Sequence, residues 1–256
     1  MLALITGASS GLGRDMARIL SRLGYDLILV ARREDRLLRL KQELKTDITI
    51  IPLDLSNQDN CYKLLQMTEE MDIDILINNA GFGIFGAFYY THLETEMEMI
   101  DTNIKAVHIL TKGFYQRFRD RNSGHILNVS SSAAFVPGPL MSTYYASKAY
   151  VFSLTMAIYE ENRRDNSNVH ISVLCPGPVK TEFDEKADVT FSLKGKNSME
   201  VACYAITQMF RGTLVIIPGV IMKAAKFAER FLPEKLLLRA SYHMQHRKTA
   251  RKRTIR

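Results

Sequence analysis

The sequence predicts an α/β chain: a parallel sheet of about seven strands covered by helices on both faces, with a C-terminal helical extension. Three observations predict it. Short uninterrupted apolar runs rich in Ile, Leu and Val recur along the chain, and stretches of helical periodicity alternate with them. A glycine-rich loop joins the first apolar run to the first helical stretch. Strands covered by helices on both faces read as continuous apolar runs, which is the signature of a parallel sheet.

Taken in order, the strands are expected at residues 2–5, 27–30, 48–53, 73–77, 125–129, 170–174 and 214–217. Helices are expected at 14–23, 34–44, 58–70, 94–119 and 144–163. Within 34–44, leucines at 37, 38, 40 and 44 stand among charges, an amphipathic pattern. The alternation runs without a break in composition, so one domain is expected over 1–256. From Pro176 to about Asn197 the polarity is mixed, and 181–197 is read as a substrate loop. Residues 220–256 form a helical extension and basic tail, with Phe227, Ala228 and Phe231 at helical spacing opposite Lys226 and Arg230. The extension has three readings: a wall of the substrate cleft, a dimer contact, or a helix lying on a membrane surface.

Bulk properties narrow the function. A chain of 256 residues, 46% hydrophobic, is globular. Two long charge-free stretches, 75–93 and 125–147, are broken by Gly, Asn, Ser and Pro and are poor membrane spans. No basic segment and apolar core precede the first strand, which argues against a secretory signal and for a cytoplasmic protein. Cys61, Cys175 and Cys203 are scattered and odd in number, fitting neither a disulfide framework nor a zinc site. His243 and His246 lack acidic or cysteine partners nearby, so no metal is expected. The net charge is +7, of which Arg247, Lys248, Arg251, Lys252, Arg253 and Arg256 supply +6. The tail is read first as a solvated end, with peripheral contact to an anionic membrane as the sharper reading; nucleic acid is disfavoured.

The chemistry concentrates between Ser130 and Lys148. Tyr144 and Lys148 are four residues apart, which places them on one helical face if Ser142 or Thr143 starts the helix. An ammonium beside a phenol favours the phenolate and lowers its pKa from about 10. Ser131, at the end of a strand, can meet the same substrate oxygen. Tyr145 points about 100° away around the helix and is not chosen.

A second constellation suits a dinucleotide. Thr6, Gly7, Ala8, Ser9, Ser10, Gly11, Leu12 and Gly13 follow the first strand and open the first helix, so backbone can approach a pyrophosphate at a helix N-terminus. The second strand ends Ala31-Arg32-Arg33 with no acid at its tip, and two guanidiniums can clamp a ribose 2′-phosphate. NADP(H) is therefore favoured over NAD(H), although Ser10 stands where a lysine or arginine would strengthen the case. Asp54 can accept from an adenine amino group or cap a helix. Asn78-Asn79-Ala80-Gly81 brings small and amide residues to a strand's carboxyl end.

With these residues in place, the chain resembles the short-chain dehydrogenase/reductase family. The resemblance rests on TGASSGLG at 6–13, DL at 54–55, NNAG at 78–81, Asn103, NVSS at 128–131, YYASK at 144–148 and CPGP at 175–178. It implies a Rossmann-type, doubly wound parallel sheet of about seven strands, with Tyr144 as catalytic acid/base, Lys148 as ribose ligand and pKa modulator, and Ser131 as the holder of the substrate oxygen. Asn103 would anchor a water relaying protons to Lys148. Gly7, Ser9, Ser10, Gly11, Leu12 and Gly13 would form the phosphate loop, with Arg32, Arg33, Asp54, Leu55, Asn79, Ala80 and Gly81 along the cofactor. Pro176, Gly177 and Val179 would face the nicotinamide, with Thr181 near its amide or the phosphates. The implied activity is NADP(H)-dependent interconversion of a ketone or aldehyde and an alcohol, in a homodimer or homotetramer. Two alternatives stand beside it: an NAD-dependent secondary-alcohol dehydrogenase, and a non-catalytic dinucleotide-binding or interaction protein. Phe82, Phe85, Phe88, Phe135, Met141 and Phe183 are candidates for an apolar cleft suited to a lipophilic ketone.

Overall fold

A computed structural model describes residues 1–183, 195–228 and 231–253. Its strands are β1 (Leu2–Thr6), β2 (Asp26–Ala31), β3 (Ile48–Pro52), β4 (Ile73–Asn78), β5 (Gly124–Val129), β6 (Val169–Leu174), the short pair β7 (Val179–Lys180) and β8 (Lys196–Asn197), and β9 (Val215–Ile216). Among the described residues, seven of them form one parallel sheet in the order β3-β2-β1-β4-β5-β6-β9. The chain runs outward from β1 to β3, then returns to lay β4 on the other side of β1. That reversal leaves a crevice beyond the carboxyl ends of β1 and β4, the place where such sheets take ligands.

Alternate strand residues point to opposite faces, so each strand feeds two cores. On one face Ala3, Ile5, Leu27, Leu29, Ile75 and Ile77 pack with Met16 and Leu20 of α1 (Gly11–Arg22). On the other, Leu4, Ile28, Val30, Leu76 and Ile126 pack with Leu64 of α3 (Gln58–Met67) and with Phe114 and Phe118. The helix α2 (Glu34–Glu43) lies between β2 and β3 in the chain and buries Leu37 and Leu40. Burying one such leucine or isoleucine contributes about 1.5–3 kcal/mol.

Two helices differ from expectation. The helix foreseen at 94–119 is three pieces: α4 (Leu93–Ile100), a π-helical turn (Asp101–Ala106) and α5 (Val107–Asp120). The wider turn carries Asn103, which is fully buried. A further helix was not foreseen between the sixth and last strands. After α6 (Ser142–Arg164), α7 (Ser198–Phe210) begins at Asn197, whose side chain accepts from the Met199 and Glu200 amides at 2.9 and 3.4 Å. Asn197 with Glu200 three residues on is a helix-start signal in the sequence itself. Buried Asp15 of α1 accepts from the Ser198 hydroxyl and docks the two helices. The substrate loop read at 181–197 falls largely on residues 184–194, outside the described residues.

The extension consists of α8 (Val220–Ala228) and α9 (Glu234–Arg253). Gln245 of α9 donates to the Tyr145 hydroxyl on α6. Phe227 and Phe231 are exposed and meet edge to face, 5.3 Å between ring centroids. Arg230, the side chain of Ala228 and the basic side chains from Arg247 onward lie outside what the structure describes. Among those described, no helix is long and apolar enough to cross a membrane, and no group of three or more His, Cys, Asp or Glu is placed to hold a metal.

Candidate active site

A cavity of about 810 Å³ runs along the carboxyl ends of the strands. One end is the glycine loop. Gly7 and Gly11 adopt φ of 65° and 54°, a region that suits glycine. A Cβ on Gly13 would lie 2.5 Å from the Gly7 carbonyl oxygen and 2.4 Å from Asn79 Nδ2. The loop is therefore a cradle whose shape only glycine permits, and Asn79 braces it by donating to the Thr6 and Gly7 carbonyls at 3.1 and 3.2 Å. The Thr6 hydroxyl accepts from the amides of Asn79 and Ala80, both at 3.0 Å. The sequence marks Thr6 only as the start of the loop; its hydroxyl ties β1 to β4.

The two arginines after β2 divide. Arg33 donates from Nη2 to Ser10 Oγ at 2.9 Å and to Ser9 Oγ at 3.1 Å, and from Nη1 to Glu182 at 2.9 Å. Arg32 also lines the cavity, but it pairs with Glu98 at 2.8 Å and Asp54 at 3.5 Å. Of the two, Arg33 is the one that reaches the serines, and Arg36 joins it on Glu182. Asp54 does not cap a helix: it accepts from the Ser56 amide at 3.0 Å, and Asn57 caps α3. Burial tends to raise the Asp54 pKa, but the Ser56 donors and Arg32 outweigh it and hold the carboxyl below its ordinary range. Thr181 packs its side chain 3.1 Å from where a Cβ of Gly11 would lie, joining the segment after β7 to the loop.

Tyr144, Lys148 and Ser131 meet at the centre of the cavity wall. Tyr144 and Lys148 lie in the first turns of α6, which starts at Ser142 with Met141 at its cap position. Neither Ser142 nor Thr143 caps it; Thr143 donates to Glu96 at 2.8 Å instead. Lys148 is buried and donates to the Val129 carbonyl at 3.0 Å, with Nζ 5.9 Å from the centre of the Tyr144 ring. Burial pushes its pKa down to about 8. Ser131 sits in extended backbone at the end of β5, and its hydroxyl accepts from the Ala133 amide at 3.1 Å. Burial pushes the Tyr144 phenol up to about 12, against a hydrogen bond with Ser131 that lowers it. The depression expected from Lys148 is not among the causes at Tyr144; the phenol and the ammonium are both buried, and desolvation disfavours each charged form.

Asn103 clamps this wall from behind. Its Oδ1 accepts from the Phe82 amide at 3.1 Å, and its Nδ2 donates to the Phe82 carbonyl at 2.9 Å and to Ser147 Oγ at 3.0 Å. Gly81 makes room for it, since a Cβ there would fall 2.8 Å from Asn103 Oδ1 and 3.4 Å from Lys148 Nζ.

Beyond the tyrosine the cavity is apolar. Phe82, Phe135, Met141 and Phe183 line it, as read from the sequence; Phe85 packs behind them and Phe88 faces solvent, 68% exposed. Phe183 lies 5.3 Å from Tyr144 between ring centroids. The extension supplies the rest: Met222 and Lys226 from α8, then Leu232, and Leu237 and Ala240 from α9. These residues fit the reading of the extension as a cleft wall, while the exposed Phe227 and Phe231 lie outside the lining. Lining residues this far from the catalytic stretch in sequence had no local signal.

Comparison with known proteins agrees with this arrangement. A model of the family described as short chain dehydrogenase matches residues 1–190. An uncharacterized oxidoreductase of Staphylococcus epidermidis is 31% identical over 211 residues, covering 81% of this chain and 91% of that one. A short-chain dehydrogenase from Sphingobium yanoikuyae, solved in complex with NADPH, aligns with a TM-score of 0.81 at 30% identity, covering 90% of this chain and 93% of the other. One from Burkholderia phymatum, solved in complex with NAD, aligns with a TM-score of 0.80 at 25% identity over 88% of this chain and 91% of its own. The chain belongs to the short chain dehydrogenase family and is an oxidoreductase.

Proposed function

We propose that the protein is an NADP(H)-dependent oxidoreductase that interconverts a lipophilic ketone or aldehyde and its alcohol, with Tyr144 as general acid/base. The observation that carries the reading is one cavity with a glycine cradle and Arg33 at one end and Ser131, Tyr144 and Lys148 at its centre. The fit to a dinucleotide rests on the cradle at Gly7 and Gly13, on the free N-terminus of α1, and on a guanidinium beside two serine hydroxyls. Of the two solved relatives above, one was bound to NADPH and the other to NAD, so the preference for the phosphorylated form rests on Arg33.

When bound, a nicotinamide dinucleotide supplies or accepts the hydride at the carbonyl carbon. The protein's share is orientation and the proton. Ser131 Oγ and Tyr144 Oη donate to the carbonyl oxygen and stabilise charge as it develops. Tyr144 then passes its proton to that oxygen; in the reverse direction it takes the proton back. A phenol with pKa raised to about 12 stays protonated at neutral pH and is ready as the acid of reduction. Lys148, held by Val129, is the group positioned to re-protonate it. The apolar walls exclude water from the reacting atoms.

The test is a panel of aryl, alkyl and polycyclic ketones with NADPH or NADH, following loss of reduced-nicotinamide absorbance. Turnover confined to apolar ketones and faster with NADPH is expected. Absence of binding to either cofactor would defeat the reading and favour a non-catalytic role.

A further inference from the structure

Glu182 places a carboxylate at the adenosine end of the cavity. Its two oxygens are shared between two guanidiniums: Arg33 Nη1 donates to Oε2 at 2.9 Å, and Arg36 donates to Oε1. The other nitrogens of Arg33 reach the glycine loop, Nη2 to Ser10 Oγ at 2.9 Å and to Ser9 Oγ at 3.1 Å. Three separate segments meet here: the loop after β1, the start of α2 and the residues after β7. Ser9, Ser10, Arg33 and Glu182 all line the cavity. Two guanidiniums with two hydroxyls beside them are the donor set of a phosphomonoester dianion, and planar guanidinium forks serve carboxylate and phosphate alike. In this chain an internal carboxylate fills that set. Burial favours its neutral form, but the two arginines prevail and hold its pKa below the ordinary glutamate value, so it is charged at neutral pH.

We infer that Glu182 is an intramolecular competitor for the 2′-phosphate of the cofactor, and that its pairing with Arg33 and Arg36 limits how strongly the protein prefers NADPH to NADH. The inference rests on the reading of Arg33 as the phosphate ligand. A 2′-phosphate must take Arg33 from the carboxylate and bring a like charge near it. A 2′-hydroxyl brings no charge and leaves the pair intact. The apparent affinity for the phosphorylated cofactor is therefore the intrinsic affinity reduced by the fraction of protein whose Arg33 is free to exchange. The pair is partly solvated, with Arg33 and Glu182 side chains 29% and 35% exposed, so the handicap is moderate: about three- to tenfold.

The experiment compares the full-length wild type with Glu182→Gln by calorimetric titration of NADPH, NADH, adenosine 2′,5′-bisphosphate and 5′-AMP. The amide keeps the shape and loses the charge. Expected is a three- to tenfold tightening of NADPH and of the bisphosphate, with NADH and 5′-AMP unchanged within about twofold, which also shows the variant to be folded. NADPH affinity that is unchanged or weaker in the variant would overturn the inference. So would a gain shared equally by NADH, or a loss confined to NADH, which would make Glu182 a ligand of the 2′-hydroxyl. A wild type that binds NADH more tightly than NADPH would instead overturn the cofactor preference proposed above, while the change produced by Glu182→Gln still reads the competition.

Discussion

Tyr144 and Tyr145 are neighbours in sequence and stand edge to face, 6.1 Å apart between ring centroids, yet their hydroxyls serve different partners. The Tyr144 phenol meets Ser131, while that of Tyr145 accepts from Gln245 of α9. The pair supplies an internal control for mechanism. Tyr144→Phe should lower kcat by about 10²- to 10⁴-fold, the usual share of a general acid, and leave cofactor affinity within about twofold. Tyr145→Phe should keep kcat within about threefold and raise KM, since it loosens only the wall held by Gln245. Steady-state kinetics of both variants on one ketone decide this, and equal losses of kcat would reject Tyr144 as the proton donor.

Lys148 gives two linked expectations. Its folded pKa of about 8 lies below the unfolded value of 10.5, so between these pH values the unfolded chain holds the extra proton. Stability contributed by this site is present above pH 10.5 and is lost as pH falls through 8, where burial of the ammonium costs about 3 kcal/mol. Lys148→Met removes that cost, less about 1–3 kcal/mol for the Val129 carbonyl left without its donor. Relative to wild type the variant should therefore be most stable near pH 7 and lose ground steadily between pH 8 and 10.5, while turnover collapses. Melting curves at pH 7, 9 and 10.5 measure the trend; a stability difference independent of pH would refute it. In the wild type, ketone reduction should be level below about pH 8 and decline above it as Lys148 loses the proton it relays.

Gly13 tests the cradle apart from the chemistry. A methyl group there meets the Gly7 carbonyl oxygen, which is backbone and cannot swing aside. Gly13→Ala should displace the loop, weaken both cofactors by at least about tenfold and cost about 1–3 kcal/mol of stability through overpacking. Gly24→Ala is the matched control for surface glycine, because nothing lies within 4 Å of its added Cβ, although its φ of 85° adds local strain. Calorimetric titration of the two variants separates them: loss of affinity in Gly24→Ala as well would mean that general destabilisation, and not the cradle, is being read.

How much of this was legible in the sequence follows from how local each signal is. Strands and helices announce themselves by period, and the glycine loop, Ser131, Tyr144 and Lys148 lie in short runs with fixed spacing, so all are legible in the sequence. Arg33 was found but its partner was not: Glu182 is 149 residues away, and no periodicity relates them. The same holds for Gln245 on Tyr145, 100 residues apart. The break at Asn103 is hidden because the apolar period runs on through the π turn, whereas α7 carries its Asn197–Glu200 start signal in the sequence, at the end of the segment read as a loop, and went unassigned. The high phenol pKa was missed for another reason: spacing reports which charges are neighbours and says nothing of how dry they are.

At the far end of the sheet from the cavity, His125 and His170 sit opposite one another in the register of β5 and β6, their rings stacked 4.7 Å apart. Phe210 meets His125 edge on at 5.5 Å, and His125 Nδ1 is buried without a hydrogen-bond partner among the described residues. Burial first, then His170, push the His125 pKa down to about 4 against the opposing pull of Asp74. The unfolded value is 6.5, so between pH 6.5 and 4 the unfolded chain takes a proton that the folded chain refuses. Stability therefore falls as pH drops through that window. The full linkage value of roughly 3 kcal/mol is reduced to about 1–2 kcal/mol by solvent around a half-buried ring. His125→Phe keeps the stack and removes the titration. Its melting temperature should fall less than that of wild type between pH 7 and 4.5, by several degrees. Parallel pH profiles would show that the acid sensitivity lies elsewhere in the chain, and a steeper profile for the variant would mean that His125 gains a proton-stabilised contact on folding.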